Sequence, residues 1–189
     1  MAINLKGYRI TVLCEDVAQF DFLRCYAKAL GAENKRIIKL SAHNNASVLK
    51  HYPTAVKDYR RFASENIILL VMIDADEKTI QERLREFDEK LDSEKARLNQ
   101  PTRLDNEKIL LFVPIRNIES WFYYIETQAE HIETRADSSG KLISYKNQYL
   151  NQDISKLVNR LKHDICLNGL PDNAPSSLHH ACNELKRLA

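Results

Sequence analysis

Short apolar runs alternate along the chain with longer stretches in which apolar residues recur every three or four positions. The short runs fall at residues 9–14, 36–40, 67–73 and 109–113, a length that suits strands better than helices. Ile67-Ile-Leu-Leu-Val-Met-Ile73 is apolar at every position, the pattern of a central strand covered on both faces. Residues 16–30 read as the first helix, with Val17, Phe20, Leu23, Ala27 and Leu30 on its inner face. Asp16 and Gln19 have the spacing of a capping box, and Gly31 suits a left-handed stop. Residues 45–62 carry a second apolar stripe at Leu49, Tyr52, Val56 and Tyr59, reaching Ala63, with Pro53 expected to start or kink a turn. Residues 78–98 form a third, on Ile80, Leu84, Phe87 and Leu91.

A polar loop at 99–108 precedes the fourth strand. Beyond it, Arg116-Asn117-Ile118-Glu119 opens a helix that buries Ile118, Trp121, Phe122 and Ile125. This alternation of strand and helix predicts an α/β fold with a four-stranded, mainly parallel sheet flanked by helices. From 128 to 148 the periodicity dissolves. Helices resume at 153–166 and 176–188, separated by Asn168-Gly-Leu-Pro171 and Pro175. The expected organisation is an α/β domain over residues 1–127 and a helical C-terminal extension over 128–189, packed on the same domain.

Composition narrows the class without naming a function. The 189 residues are 44% hydrophobic and 29% charged, which excludes disordered and low-complexity classes. No apolar run approaches the ~18 residues of a membrane span, and Met1-Ala-Ile-Asn-Leu-Lys6 lacks the apolar core of a secretory signal. The expectation is a soluble, cytoplasmic protein. Lys and Arg total 28 against 26 Asp and Glu, so an anionic partner must be met by a local patch. Lys35, Arg36 and Lys39 cluster around the second strand, and Lys50, Lys57 and Arg61 recur along the following helix. These six are the candidate nucleic-acid contacts, although a basic stripe serves solubility equally well. Cys14, Cys25, Cys166 and Cys182 show no CxxC pair and read as reduced thiols with no zinc site. His43 and His51 flank the basic region as secondary candidates for proton transfer, and His179-His180 falls on an expected surface helix with no role. There is no P-loop, dinucleotide fingerprint or nucleophile elbow.

The chemistry lies in the acidic residues at the strand ends. Ligands of open α/β sheets bind outside the carboxyl ends of the strands. The residues there are Glu15 after the first strand, Asp74 and Asp76 after the third, and Glu119 after the fourth. Four converging carboxylates repel one another, and a divalent cation removes that repulsion; oxygen-only donors favour Mg²⁺ or Mn²⁺. Acidic residues near helix N-termini also serve as caps, a second reading open to Glu15, Asp76 and above all Glu119.

Glu15 at the end of the first strand, followed two strands later by Asp74-Ala75-Asp76, resembles the Toprim fold of topoisomerases, bacterial primases and overcoming-lysogenization-defect nucleases. Asn117-Ile-Glu-Ser-Trp121 is similar to a tail motif of small stand-alone Toprim-type proteins of bacterial anti-phage defence systems. The likeness covers residues 9–127. It implies that Glu15, Asp74 and Asp76 are catalytic and bind metal, that Glu15 also serves as general acid or base, and that Glu119 completes the site. Asp16 stands where Toprim proteins usually carry Gly. The chain has no room for the separate tyrosine-bearing domain of a topoisomerase or the companion domains of a primase. The implied function is a metal-dependent nuclease, the toxic effector of a defence system, with a regulatory ATPase as partner and self-association as a further expectation. The alternatives are a catalytically silent scaffold or nucleic-acid-binding adaptor, and a metal-dependent phosphohydrolase acting on a nucleotide.

Overall fold

Four strands, β1 (Arg9–Cys14), β2 (Ile37–Leu40), β3 (Ile67–Met72) and β4 (Ile109–Phe112), pair in the order β2-β1-β3-β4. All three pairings are parallel, with Cys14 level with Met72 and Met72 level with Phe112. A computed structural model of the chain describes residues 3–98, 101–129, 138–140, 143–149, 152–161 and 169–188. From β1 the chain moves outward to β2, then crosses back to β3 on the other side of β1. The crevice between the carboxyl ends of β1 and β3 is therefore the topological switch point, where open α/β sheets place their ligands.

Two apolar cores follow from the alternation of side chains along the strands. Ile10, Val12, Ile68, Leu70 and Met72 face one core, which is covered by α1 (Val17–Ala29), α4 (Ile118–Thr127), α5 (Ile154–Arg160) and α6 (Ser176–Leu185). Leu13, Leu69, Val71 and Ile73 face the other, covered by α2 (Asn45–Arg61) and α3 (Ile80–Leu98). All six residues of β3 are buried, each of its larger side chains contributing about 1.5–3 kcal/mol. The α/β fold with a four-stranded parallel sheet flanked by helices is thus what the hydrophobic pattern predicts. No helix among the described residues is long and apolar enough to cross a membrane.

Four local features differ from the sequence expectation. Helix α1 is rotated, burying Gln19, Phe22, Leu23, Tyr26 and Ala27 while Val17 is 66% exposed. A polar network draws Gln19 inward, and at 100° per residue Val17 then lies on the opposite side. Pro53 sits buried inside α2 without ending it. Residues 34–36 form a 3₁₀ turn before β2, and the last helix tightens into 3₁₀ at Lys186–Leu188. The expected helix at 153–166 is described as far as residue 161, and the rest lies outside the described residues.

Helices α5 and α6 bury Leu157, Val158, Leu178 and Leu185 in the first core, and the Trp121 indole donates to the buried Ser177 hydroxyl at 2.8 Å. Helix α6 also closes the sheet. β4 is an edge strand whose outward backbone groups would otherwise be unpaired. Arg103 donates to the Ile109 carbonyl at 3.1 Å, the Leu111 N–H donates to Glu184 at 2.8 Å, and the His180 imidazole meets the Leu111 carbonyl at 3.0 Å. Arg103 and Glu184 pair with each other. Three side chains thus occupy the place of a fifth strand.

Two sequence readings are corrected here. His180 is a half-buried edge partner, because its helix packs against β4 instead of facing water. Cys182 is disulfide-bonded, while Cys14 and Cys25 are free. Disulfide formation depends on the spatial approach of two Cα atoms, which spacing in sequence does not reveal. Cys166 lies outside the described residues.

Glu184→Ala would take the counterion from the half-buried Arg103 and leave the buried Leu111 N–H unpaired, at an expected cost of about 3 kcal/mol in urea unfolding. His180→Ala should cost about 1 kcal/mol. Burial holds the His180 pKa below its ordinary 6.5. The stability it contributes is therefore present above pH 6.5 and lost as pH falls through the folded value; unfolding curves of the two proteins should converge on that acid side.

Candidate functional site

Glu15, Asp74 and Gln19 form one hydrogen-bonded unit at the β1–β3 crevice. β1 ends at Cys14, so Glu15 is the first residue past the strand. Its carboxylate accepts from the Asp74 backbone N–H at 2.7 Å. Asp16 then caps α1, accepting from the Gln19 N–H at 2.9 Å. The Gln19 side chain accepts from the Glu15 N–H at 3.0 Å and donates to the Asp74 carboxylate at 2.8 Å. In a capping box this side chain would return to the cap residue's own N–H; here it reaches one residue further and spends its amide donor on Asp74. Gln19 is fully buried, so both ends of its amide are committed to the site.

The Gln19 side chain also bears on the Glu15 carboxylate as a hydrogen-bond partner. Burial, then the neighbouring Glu15 and Asp16, hold the Asp74 pKa well above its ordinary value against the pull of Gln19. Burial also raises Glu15, which the Asp74 N–H partly offsets and the charges of Asp76 and Asp16 reinforce. Glu119 is buried and raised for the same first reason. Its carboxylate is turned to its own backbone N–H, in the first turn of α4, yet its charge is felt at Asp74. The site gathers negative charge at a half-buried edge of the sheet.

Asp76 is placed differently. It is 57% exposed by side chain, accepting from Arg83 at 3.0 Å and from the Asn45 amide at 2.5 Å. Arg83 itself is only 6% exposed and also binds Glu86 at 2.9 Å. Asp76 has a left-handed backbone (φ 54°), as does Arg116 (φ 62°), and the Asp76 N–H donates to the Arg116 carbonyl at 3.0 Å. Among the described residues, no three acidic, His or Cys side chains stand together as a ready-made cation cage. Glu15 and Asp74 are brought together; Asp76 and Glu119 are within electrostatic reach but face other partners. Asp16, with φ −133° and ψ −173°, is extended, so its position has no need of glycine.

The basic residues divide by edge. Lys39 reaches the site, donating to the Asp16 carbonyl at 3.2 Å and lying over the Phe20 ring. Lys35 and Arg36 pair with Glu33 at the amino end of β2. Lys50, Lys57 and Arg61 are exposed on α2, which starts at the carboxyl edge and runs back to the amino edge. Lys50 to Arg61 spans about 16 Å at 1.5 Å per residue, so the stripe leads away from the carboxylates. His43 is exposed in the loop before α2, and His51 is engaged by Ser47 on the same helix. Gln19, Asn45, Arg83 and Arg116 went unread as site residues. Only Gln19 carried a signal, its capping-box spacing from Asp16; the others depend on chain reversals that bring distant segments together.

Comparison of the chain with protein-family models and with curated proteins finds no match. The Toprim resemblance therefore rests on the residues named above.

The raised Asp74 pKa fixes a sign. A carboxyl held above its unfolded value, 3.8 for Asp, contributes stability that is complete below that value and is lost as pH rises through the folded one. Asp74→Asn keeps the acceptor for Gln19 and removes the charge. In EDTA the variant should melt above the wild type at neutral pH, the difference shrinking as pH falls toward 4. A variant that melts lower throughout would show that the charge is compensated in the fold.

Proposed function

We propose that the chain is a metal-dependent nuclease that hydrolyses phosphodiester bonds. The observation that carries this reading is the pairing of the half-buried Glu15 and Asp74 at the switch point, each with a raised pKa. Burying two acids side by side costs stability unless the charge serves a ligand. Mg²⁺ commonly uses one or two carboxylates and keeps the rest of its shell as water, so Glu15 and Asp74 suffice as its protein donors and the oxygen-only set fits it or Mn²⁺. Such an ion supplies charge that activates water and stabilises the phosphodiester oxygens during displacement.

The chain's own groups have separable tasks. Gln19 holds the Asp74 carboxylate in one orientation and ties the Glu15 backbone to it. Glu15, whose pKa burial raises, can take the proton of an attacking water. Asp76, at the mouth, is free to exchange its partners Asn45 and Arg83 for a second cation, and Glu119 adds negative potential from behind. The Toprim resemblance extends the reading to a toxic effector of anti-phage defence, restrained by a regulatory ATPase. The scaffold or adaptor reading is favoured by one observation, the lack among the described residues of a three-donor cage.

Glu15→Gln and Asp74→Asn should each lower cleavage of single- or double-stranded DNA or RNA, in Mg²⁺ or Mn²⁺, by about 10²-fold or more, with melting temperature held or raised. Full activity in both folded variants would remove the catalytic reading in favour of the adaptor. Replacing Lys50, Lys57 and Arg61 together by Ala should weaken nucleic-acid binding and flatten its salt dependence; unchanged binding would assign the stripe to solubility.

A further inference from the structure

Next to the carboxylates lies a cleft of about 550 Å³, lined by Asp76, Glu77, Lys78, Arg83, Arg116 and Asn117. Its charges are mostly committed. Arg83, buried to 6% exposure, is shared between Asp76 and Glu86, and Lys78 pairs with Glu86. The exposed Glu77 has no pairing among the described residues, and neither does Arg116. Its guanidinium has no hydrogen bond or ion pair among the described residues, although the residue is half-buried in the cleft wall.

The backbone holds Arg116 in that position at a cost. Left-handed φ angles are uncommon outside glycine, and two of them, at Asp76 and Arg116, are locked to each other by the Asp76 N–H to Arg116 carbonyl bond. One residue earlier, the Ala75 N–H donates to the Pro114 carbonyl at 2.8 Å, so this strained pair continues the β3–β4 ladder directly beyond Asp74. Behind it, Asn117 heads α4 without a side-chain capping bond, and Glu119 in the first turn meets the positive end of that helix.

We infer that Arg116 and this cleft bind a backbone phosphate of the nucleic-acid strand adjacent to the bond presented to Glu15 and Asp74. The inference deepens the nuclease reading and rests on it for the identity of the ligand. A planar guanidinium matches a phosphate with two parallel hydrogen bonds, and the buried Arg83 offsets Asp76, so the Arg116 charge is offered to an anion entering here. The site selects for phosphate and sugar, with no base edge addressed; binding through it is sequence-independent.

The test is Arg116→Gly. Glycine adopts φ 62° without strain, so the variant should melt at or above the wild-type temperature while losing the guanidinium. Binding of a fluorescein-labelled single-stranded oligonucleotide is followed by anisotropy in EDTA, across a salt series. The expected result is about a tenfold loss of affinity and a log–log salt slope shallower by about 0.7, the loss of one phosphate contact on a single strand. Arg116→Lys should recover part of the affinity, since it restores charge without the fork. Unchanged affinity and slope in Arg116→Gly, or no binding of the strand by the wild type at low salt, would overturn the subsite. Arg116-dependent binding with no cleavage in Mg²⁺ or Mn²⁺ would uphold the subsite and remove the nuclease reading; cleavage with Arg116-independent binding would do the reverse.

Discussion

The hydrogen bond from the Asp74 backbone N–H to the Glu15 carboxylate ties together the two strands between which the chain changes direction. β1 and β3 pair in parallel along their whole length, and beyond their last residues the ladder would end with backbone groups facing the crevice. Glu15 extends the connection by one side chain. Gln19 closes the loop from above, reading the Glu15 backbone with one end of its amide and the Asp74 carboxylate with the other. The rotation of α1, the exposure of Val17 and the burial of Phe22 and Tyr26 follow from this placement of Gln19. A polar contact at the helix start therefore sets which apolar residues α1 delivers to the core.

The same crevice is where the fold tolerates unfavourable electrostatics. Elsewhere buried charge is balanced: Arg60 with Glu107, Arg103 with Glu184, Arg83 with Asp76 and Glu86. At Glu15 and Asp74 the neighbours are acids, and their own hydrogen bonds do not offset burial. Left-handed backbone at Asp76 and Arg116 lies beside them. Left-handed backbone beside acids whose burial is not offset is an arrangement expected of a site shaped for a ligand.

The opposite flank of the sheet shows how the C-terminal helices contribute. Glu184 and His180, one turn apart on α6, bind the two outward groups of Leu111, while Arg103 binds Ile109 and Glu184. An edge that could recruit another strand is sealed by side chains. Trp121, in the segment that resembles a Toprim tail motif, anchors the same helix through Ser177. The extension is therefore bound to the sheet by apolar packing and by specific polar contacts, both dependent on α6.

Hydrophobic patterning by itself determined the four strands, most of the helices and the placement of Glu15 and Asp74 just past strand ends, because the period of burial is local information and strand ends are marked where it stops. It also exposed the strongest candidates for chemistry, since acids following apolar strands stand out in a single sequence. Only the tertiary structure decided that Gln19 bridges the two acids, that Asp76 turns to Arg83 and Asn45, and that Arg116 lies beside them with no pairing among the described residues. It alone placed the α2 stripe away from the carboxylates and made His180 an edge partner. These facts depend on strand order and on the hand-over between β3 and β4, where residues 75 and 114, or 76 and 116, meet through backbone bonds. Separation along the chain carries no record of such meetings, because they arise from how the elements pack and not from the periodicity of any one of them.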